Sequence, residues 1–225
     1  MTKEEILDFL KNNYNEENVK GMARFGISSV NTYGVSMPQL RFMAKMTGKD
    51  QALSLELWET GIHEARILAA LTGDPRQVTR SQMEHWVKDF ESWDVCDQTC
   101  SNLFDKTPYA YEKALEWSLR EEEFVKRAGF VLMAALSVHN KKAHDEMFVE
   151  FLSVIEREAC DERNFVKKAV NWALRQIGKR NSRLTPLAIR SGERILKMDS
   201  RAARWVARDA LRELNDEKIL SRIKD

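Results

Sequence analysis

The sequence predicts an all-α protein built as a curved solenoid of paired helices. Nearly every segment carries apolar residues at spacings of three and four, as in "EEFVKRAGFVLMAAL" and "SRAARWVARDALREL". The nine glycines and four prolines lie mostly between such segments, and no strand-like alternation of useful length occurs. Similar stretches also recur along the chain, which is typical of repeat architectures.

The recurring stretches share a basic residue beside a small alanine, followed by an apolar helix. They read "HEARILAALTG", "VKRAGFVLMAALS", "VKKAVNWALRQIG" and "RAARWVARDALREL". The separations are 63, 41 and 34 residues between the shared alanines Ala65, Ala128, Ala169 and Ala203. The first gap leaves room for one further unit near Trp93–Phe104. With that unit included, the stretches recur roughly every 30 to 45 residues. A period of this length in a helical chain predicts HEAT-like helix pairs, which curve and present a concave surface. We expect about twelve to fourteen short-looped helices in one domain over residues 1–225, with a globular helical bundle as the alternative.

Composition excludes several classes of protein. No run of 18 or more apolar residues occurs, so no membrane span is expected. The N-terminal stretch "MTKEEILDFLKNNY" is charged and amphipathic, unlike a secretory signal. Three cysteines without a framework spacing favour a reducing, cytoplasmic setting, with nucleoid association if the source is bacterial or archaeal.

Charge is distributed unevenly although the net charge is only +1. The window from Arg163 to Arg208 contains thirteen Lys/Arg and two acids, a net +11. The preceding stretch, Asp145 to Glu162, holds seven acids and one base. This asymmetry indicates a surface that faces a polyanion. A set of solvated helix faces is the alternative.

The stretch "ESWDVCDQTC" is predicted to form a helix capped by Ser92. At 100° per residue, Trp93 and Asp97 share one flank of this helix. The apolar stripe consists of Val95, Cys96, Thr99, Cys100, Leu103 and Phe104. Both cysteines are therefore predicted to be packing residues. The four histidines show no ligand spacing with them, so no metal site is expected.

A second helix, Arg163–Gly178, places Trp172 beside cations rather than in its apolar stripe. Its neighbours on the helix surface are Lys168, Arg175 and Lys179. The arrangement fits a structural cation–π cluster, or equally an aromatic contact flanked by phosphate-binding cations. The other four tryptophans are interpreted as packing residues, namely Trp58, Trp86, Trp117 and Trp205.

Five motifs follow one another in an order that is found in a known family. The two stronger motifs are "SWDVCD" at 92–97 and "KKAVNWALRQIGKRN" at 167–181. The weaker motifs are "MARFG" at 22–26, "YGVSMPQLR" at 33–41 and "KRAGF" at 126–130. With these motifs the chain resembles the AlkD-like DNA alkylation repair glycosylases over most of its length. The resemblance implies a HEAT-like array with a basic concave groove that holds duplex DNA.

The resemblance also implies roles for individual residues. Asp97 matches the family's catalytic carboxylate, while Trp93 and Trp172 match its two site tryptophans. The resemblance implies DNA contacts at Phe25, Arg41, Arg127 and Arg175. The basic strip around Trp172 adds Lys168, Lys179 and Arg180 as expected DNA contacts. Two positions depart from the family pattern: Ser92 stands where well-known members have a second tryptophan, and Cys96 precedes the carboxylate.

The activity implied is hydrolysis of the N-glycosidic bond of N3- or N7-alkylated purines in duplex DNA, without base flipping. A monomeric, monofunctional DNA glycosylase that needs no cofactor and no metal is the expected form. Two alternatives stay open from the residues themselves. One is a noncatalytic HEAT-like module that binds damaged or branched DNA, and the other is a protein-interaction scaffold without affinity for DNA.

Overall fold

The computed structural model describes residues 1–223, and over these residues it contains fourteen α-helices and no β-strand. The predicted helical class and number of helices are therefore confirmed. Contacts divide the chain into two compact units, residues 1–107 and the residues from Pro108 onward. The expectation that residues 1–225 form one domain stays a prediction.

The first unit contains seven helices joined by short loops and a 3-10 turn. Helix α5 packs against α3, α4 and α7, so the odd-numbered helices stand in a row. In chain order the helices are α1 (Lys3–Asn12), α2 (Glu16–Ala23), α3 (Met37–Thr47), α4 (Gln51–Trp58), α5 (His63–Thr72), α6 (Arg80–Lys88) and α7 (Trp93–Asn102), followed by the 3-10 turn Phe104–Lys106.

The second unit has longer helices and the same alternation. Helices α9, α11 and α13 form one row, and α10 and α12 pack beside them. The helices are α8 (Ala110–Trp117), α9 (Glu123–His139), α10 (Asp145–Glu158), α11 (Asn164–Gly178), α12 (Leu184–Leu196), α13 (Arg201–Leu214) and α14 (Glu217–Leu220). The paired-helix prediction thus describes the packing within this unit as well.

Side-chain size explains how closely these helices pack. Small alanines at Ala128, Ala169 and Ala203 are fully buried in the row of odd-numbered helices. At Gly129, an added Cβ would lie 2.6 Å from the backbone nitrogen of Ser118, because α8 and α9 meet there almost backbone to backbone. A larger side chain could not be accommodated without moving one helix.

Within residues 1–223, no helix is long and apolar enough to cross a membrane.

Candidate active site and nucleic-acid interface

Helix α7 presents the predicted Trp–Asp pair at the edge of a buried stripe. Ser92 is its N-cap residue, as expected. The six predicted stripe residues are all buried, while Trp93 and Asp97 are half-buried. Burial raises the pKa of the Cys100 thiol well above its usual value, as expected for an inert packing residue. The prediction that the cysteines of this helix belong to the core is confirmed.

Trp93 is held by the backbone of the loop between α2 and α3 rather than by a side chain. Its indole Nε1 donates a hydrogen bond of 3.1 Å to the carbonyl oxygen of Phe25. The Phe25 ring itself is 69% exposed. Nearby, an Arg41 Nη2 lies 3.5 Å from the side-chain oxygen of Gln98, the residue after Asp97. The first unit therefore brings Phe25 and Arg41 to the helix that carries Trp93 and Asp97.

A cavity of about 480 Å³ adjoins this group of residues. Its apolar lining comes mainly from α2, α3, α5 and the loop before α3, and includes Met22, Leu40 and Ile67. Phe25 and Trp93 also line it. The indole of Trp93 is thus hydrogen-bonded to a backbone carbonyl and lines an apolar cavity.

A largely buried histidine–carboxylate pair lies at this cavity and was not predicted from the sequence. His63 Nε2 is 2.8 Å from Asp94 Oδ2, and both residues line the cavity. Burial alone would raise the pKa of Asp94, but the hydrogen bond and charge of His63 outweigh it, so the pKa lies below its usual range. Because His63 begins α5 and Asp94 lies in the first turn of α7, equivalent positions in successive odd-numbered helices are the signal that could have revealed the pair.

Glu64 fixes the loop between α2 and α3 on the other side of the same cavity. Its carboxylate is 1% exposed and accepts hydrogen bonds from the backbone N–H groups of Tyr33, Gly34 and Val35, at 2.6–3.3 Å. Gly34 has a φ of +73°, and a Cβ there would lie 2.4 Å from the carbonyl oxygen of Asn15. The glycine is therefore required both by the backbone conformation and by the close approach.

In the second unit, Trp172 is half-buried on α11, beside cations that differ in whether they have an acidic partner. Lys168 is exposed and has no acidic partner within residues 1–223. Arg175 and Lys179 both donate to the carboxylate of Glu213 on α13. Burial alone would raise the pKa of Glu213, but Lys179 and Arg175 outweigh it and lower the pKa. Their predicted phosphate contacts stay predictions, and both cations already share one internal counter-ion.

Two further predicted DNA contacts lie largely inside the fold. Arg127 is 5% exposed and donates to the carbonyl oxygen of Phe165 at 2.6 Å. The two terminal nitrogens of Arg180 donate to the carbonyl oxygens of Ser137, Asn140 and Ala143, at 2.8–3.1 Å. Arg180 thus caps the C-terminal end of α9. Contact of either arginine with DNA stays a prediction.

The acid-rich and base-rich stretches of the sequence partly neutralise each other. Two arginines of the basic window form ion pairs with acids of α10. Arg183 pairs with Asp145 and Glu146, and Arg194 pairs with Glu156. Over residues 1–223, five cations of the window form no ion pair or cation–π contact: Lys168, Arg190, Lys197, Arg201 and Arg208. The charge available to a polyanion is therefore smaller and more localised than the window suggests.

The tryptophans divide differently from the prediction. Trp58, Trp86 and Trp117 are fully buried, as expected for packing residues. Trp205 is 41% exposed on α13, so its assignment to the core is wrong. The reason is that α13 buries a stripe of four alanines with Val206 and Leu214 against α11 and α12, which leaves the bulky indole on the outer flank.

The predicted catalytic residues belong to different units. Trp93 and Asp97 lie in the first unit and Trp172 in the second, so the joint action of the two tryptophans stays a prediction. In the part of the chain that the structure describes, no group of three or more His, Cys, Asp or Glu side chains is arranged to hold a metal ion.

Comparison with solved structures identifies a related fold. The chain matches a protein described as "a new family of proteins related to the HEAT-like repeat DNA glycosylases with affinity for branched DNA structures", with a TM-score of 0.79 and 18% identity. The match covers 94% of this chain and 95% of the other. A second match, to an engineered protein, has a TM-score of only 0.38 and 12% identity over 89% of this chain and 99% of the other. The predicted HEAT-like fold is therefore confirmed.

Sequence families give the more specific result. No curated protein matches the chain significantly. The family of DNA alkylation repair enzymes matches residues 6–214, which spans both compact units and all five motifs. Because this match covers nearly the whole chain, the protein belongs to the DNA alkylation repair enzyme family.

Proposed function

We propose that this protein is a DNA glycosylase that hydrolyses the N-glycosidic bond of N3- and N7-alkylated purines in duplex DNA. The observation that carries the proposal is the pairing of Trp93 and Asp97 on one flank of α7. Membership of the DNA alkylation repair family supplies the class of substrate. The exposed Phe25 and Arg41 beside this helix support contact with a nucleic acid.

The chemistry of the substrate explains why one carboxylate is sufficient. A purine alkylated at N3 or N7 is cationic and leaves readily, and positive charge then develops on the deoxyribose. The Asp97 carboxylate stabilises this oxocarbenium-like charge and orients the water molecule that attacks it. No covalent intermediate is required, because the water adds to the sugar as the neutral base departs, and the proton that the water loses passes by way of the Asp97 carboxylate to solvent.

Trp93 contributes through its ring face. A cation that is held over an indole face is stabilised by about 1–2 kcal/mol when it is shielded from water. Because the Nε1 of Trp93 is bound to the Phe25 carbonyl, the ring keeps one orientation while the sugar becomes cationic. We assign the same electrostatic role to Trp172, and phosphate contacts to the exposed Arg41 and Lys168.

The test is release of free base from methylated duplex DNA. We expect the wild-type protein to release 7-methylguanine or 3-methyladenine, and Asp97→Asn to slow release about 100-fold or more while DNA affinity is retained. Asp8→Asn is the matched control, since Asp8 is exposed and has no partner within residues 1–223. Equal rates for the two variants would refute the role of Asp97.

A noncatalytic DNA-binding module is the second candidate function. It is favoured by the similarity of fold to a protein described as having affinity for branched DNA. On this alternative, the protein binds a three- or four-way DNA junction and releases no base from methylated duplex. Running both assays on one preparation separates the two functions directly.

A further inference from the structure

Helix α13 presents an exposed tryptophan within a stripe of arginines. Trp205 is 41% exposed, and a surface groove of about 470 Å³ runs beside it. The groove is lined by Arg201, Arg204, Trp205, Arg208, Asp209 and Arg212. The spacing of these residues places them along one face of the helix, with the indole between two pairs of arginines.

The arginines of this stripe differ in how they are neutralised. Arg204 lies 3.3 Å from Asp199, and Arg212 forms an ion pair with Asp209. Arg201 and Arg208 are exposed and have no partner within residues 1–223. These two cations flank Trp205 in sequence, four residues before it and three residues after it, which is one helical turn on either side.

Packing does not account for the exposed part of the indole. The ammonium group of Lys167 lies 5.4 Å from the centre of the Trp205 ring, which links α11 to α13. This contact uses part of the ring and adds a further cation to the stripe. An aromatic ring exposed between Arg201 and Arg208, the two arginines of the stripe without counter-ions, is unfavourable for a purely structural residue. Such an arrangement is typical of surfaces that bind single-stranded nucleic acids.

We infer that the α13 stripe binds an unpaired segment of DNA, with one base stacked on Trp205 and the flanking phosphates bound by Arg201 and Arg208. Charge complementarity selects a polyanion as the occupant. The aromatic face between the cations selects unpaired bases, because the bases of a duplex are stacked on each other and are not available to the ring. The inference rests on the proposed function in one respect, namely that the protein acts on DNA.

The experiment measures binding of the oligonucleotide dT12, which contains no alkylated base and does not form a duplex. We expect Trp205→Ala to weaken dT12 binding about tenfold or more, and Trp205→Phe to restore most of the affinity because a phenyl ring still stacks. Tryptophan emission should be quenched on addition of dT12 to the wild type, and this quenching should be largely absent in Trp205→Phe.

The arginine variants provide an independent test that does not disturb packing. The double substitution Arg201→Ala with Arg208→Ala should weaken dT12 binding and reduce the slope of log K against log salt by about 1.4, the value for two single-strand phosphate contacts. The charge-matched control is Arg190→Ala with Lys197→Ala, since Arg190 on α12 and Lys197 directly after it are both exposed and unpaired within residues 1–223. The control should leave the slope nearly unchanged.

The outcomes distinguish this inference from the proposed function. Undiminished dT12 affinity in both Trp205→Ala and the arginine double variant, or an equal loss in the control, would overturn the inference. Base release from methylated duplex is measured on the same proteins. Failure of base release with intact dT12 binding affects only the proposed glycosylase activity, whereas loss of dT12 binding with normal base release affects only the α13 stripe.

Discussion

The two compact units repeat the same helix arrangement at different periods. In the first unit, polar contacts join residues that are 31 positions apart: Gln51 with Gln82, Trp58 with Asp89, and His63 with Asp94. In the second unit, contacts join residues 38 positions apart, as in Arg127 with Phe165 and Arg175 with Glu213. Each set links one repeat to the next.

The difference in period corresponds to a difference in how the repeats are held together. Helices α3 to α7 of the first unit are short, and contacts between repeats are made by the buried side chains of His63 and Glu64 and the half-buried side chain of Asp94. The helices α9 to α13 of the second unit are longer, and arginine guanidinium groups reach carbonyls or carboxylates of the neighbouring helices. One architecture thus uses buried polar contacts in one unit and longer-reaching cations in the other.

Glu64→Ala tests the buried contacts of the first unit and should have the largest effect. Removing this carboxylate leaves the N–H groups of Tyr33, Gly34 and Val35 without their acceptor inside the fold. We expect a loss of about 3–5 kcal/mol in the free energy of unfolding, measured with urea. Glu91→Ala, at an exposed position without a partner within residues 1–223, should change it by less than about 0.5 kcal/mol. Similar values for the two variants would contradict the assigned role.

Arg180→Ala tests the longer-reaching cations of the second unit and should have a smaller effect. The variant loses the hydrogen bonds to the carbonyls of Ser137, Asn140 and Ala143, and we expect a loss of about 2–3 kcal/mol in stability. DNA affinity is measured on the folded variant beside that of Arg190→Ala, because the sequence also predicts contact of Arg180 with DNA. A large loss of affinity with unchanged stability would instead make Arg180 a phosphate contact.

Asp94→Asn gives the smallest effect and has a distinct pH dependence. Because the pKa of Asp94 is lowered in the folded protein, its contribution to stability is present above the usual aspartate pKa of 3.8 and is lost as the pH falls through the folded value. We expect the variant to be less stable by about 1 kcal/mol at pH 6 and by a smaller amount at pH 3, below the usual aspartate pKa. Unfolding curves at both pH values provide the measurement, and a pH-independent difference would show that the contact with His63 is not ionic.

Local patterns in the sequence predicted the helices and their faces well. The period of 3.6 residues placed Val95, Cys96 and Cys100 in the core and Trp93 and Asp97 on its edge, because a helical face depends only on nearby residues. Contacts between helices were not predictable in the same way. The pairing of Arg194 with Glu156 depends on the register of α12 against α10, so a basic stretch of sequence was interpreted as a wholly polyanion-facing surface.

Trp205 shows the same limit for a single residue. Its neighbours along α13 gave no sign that alanines together with Val206 and Leu214 would fill the buried face of this helix, so the indole was assigned to the core. The positions of Trp93 and Asp97 needed only one helix to be predicted, whereas the exposure of Trp205 required knowledge of the helices that pack against it.

The hydrogen bond from Trp93 to the Phe25 carbonyl has a consequence for mutational scanning. Side-chain substitutions delete side chains, and the acceptor that orients this indole belongs to the main chain. Every replacement at position 25 keeps the backbone carbonyl. Tolerance of substitutions there would therefore give information about the exposed ring and none about the carbonyl acceptor. Insertions or deletions between residues 23 and 31 move the carbonyl itself, and they are the changes that reveal how far the proposed glycosylase activity depends on it.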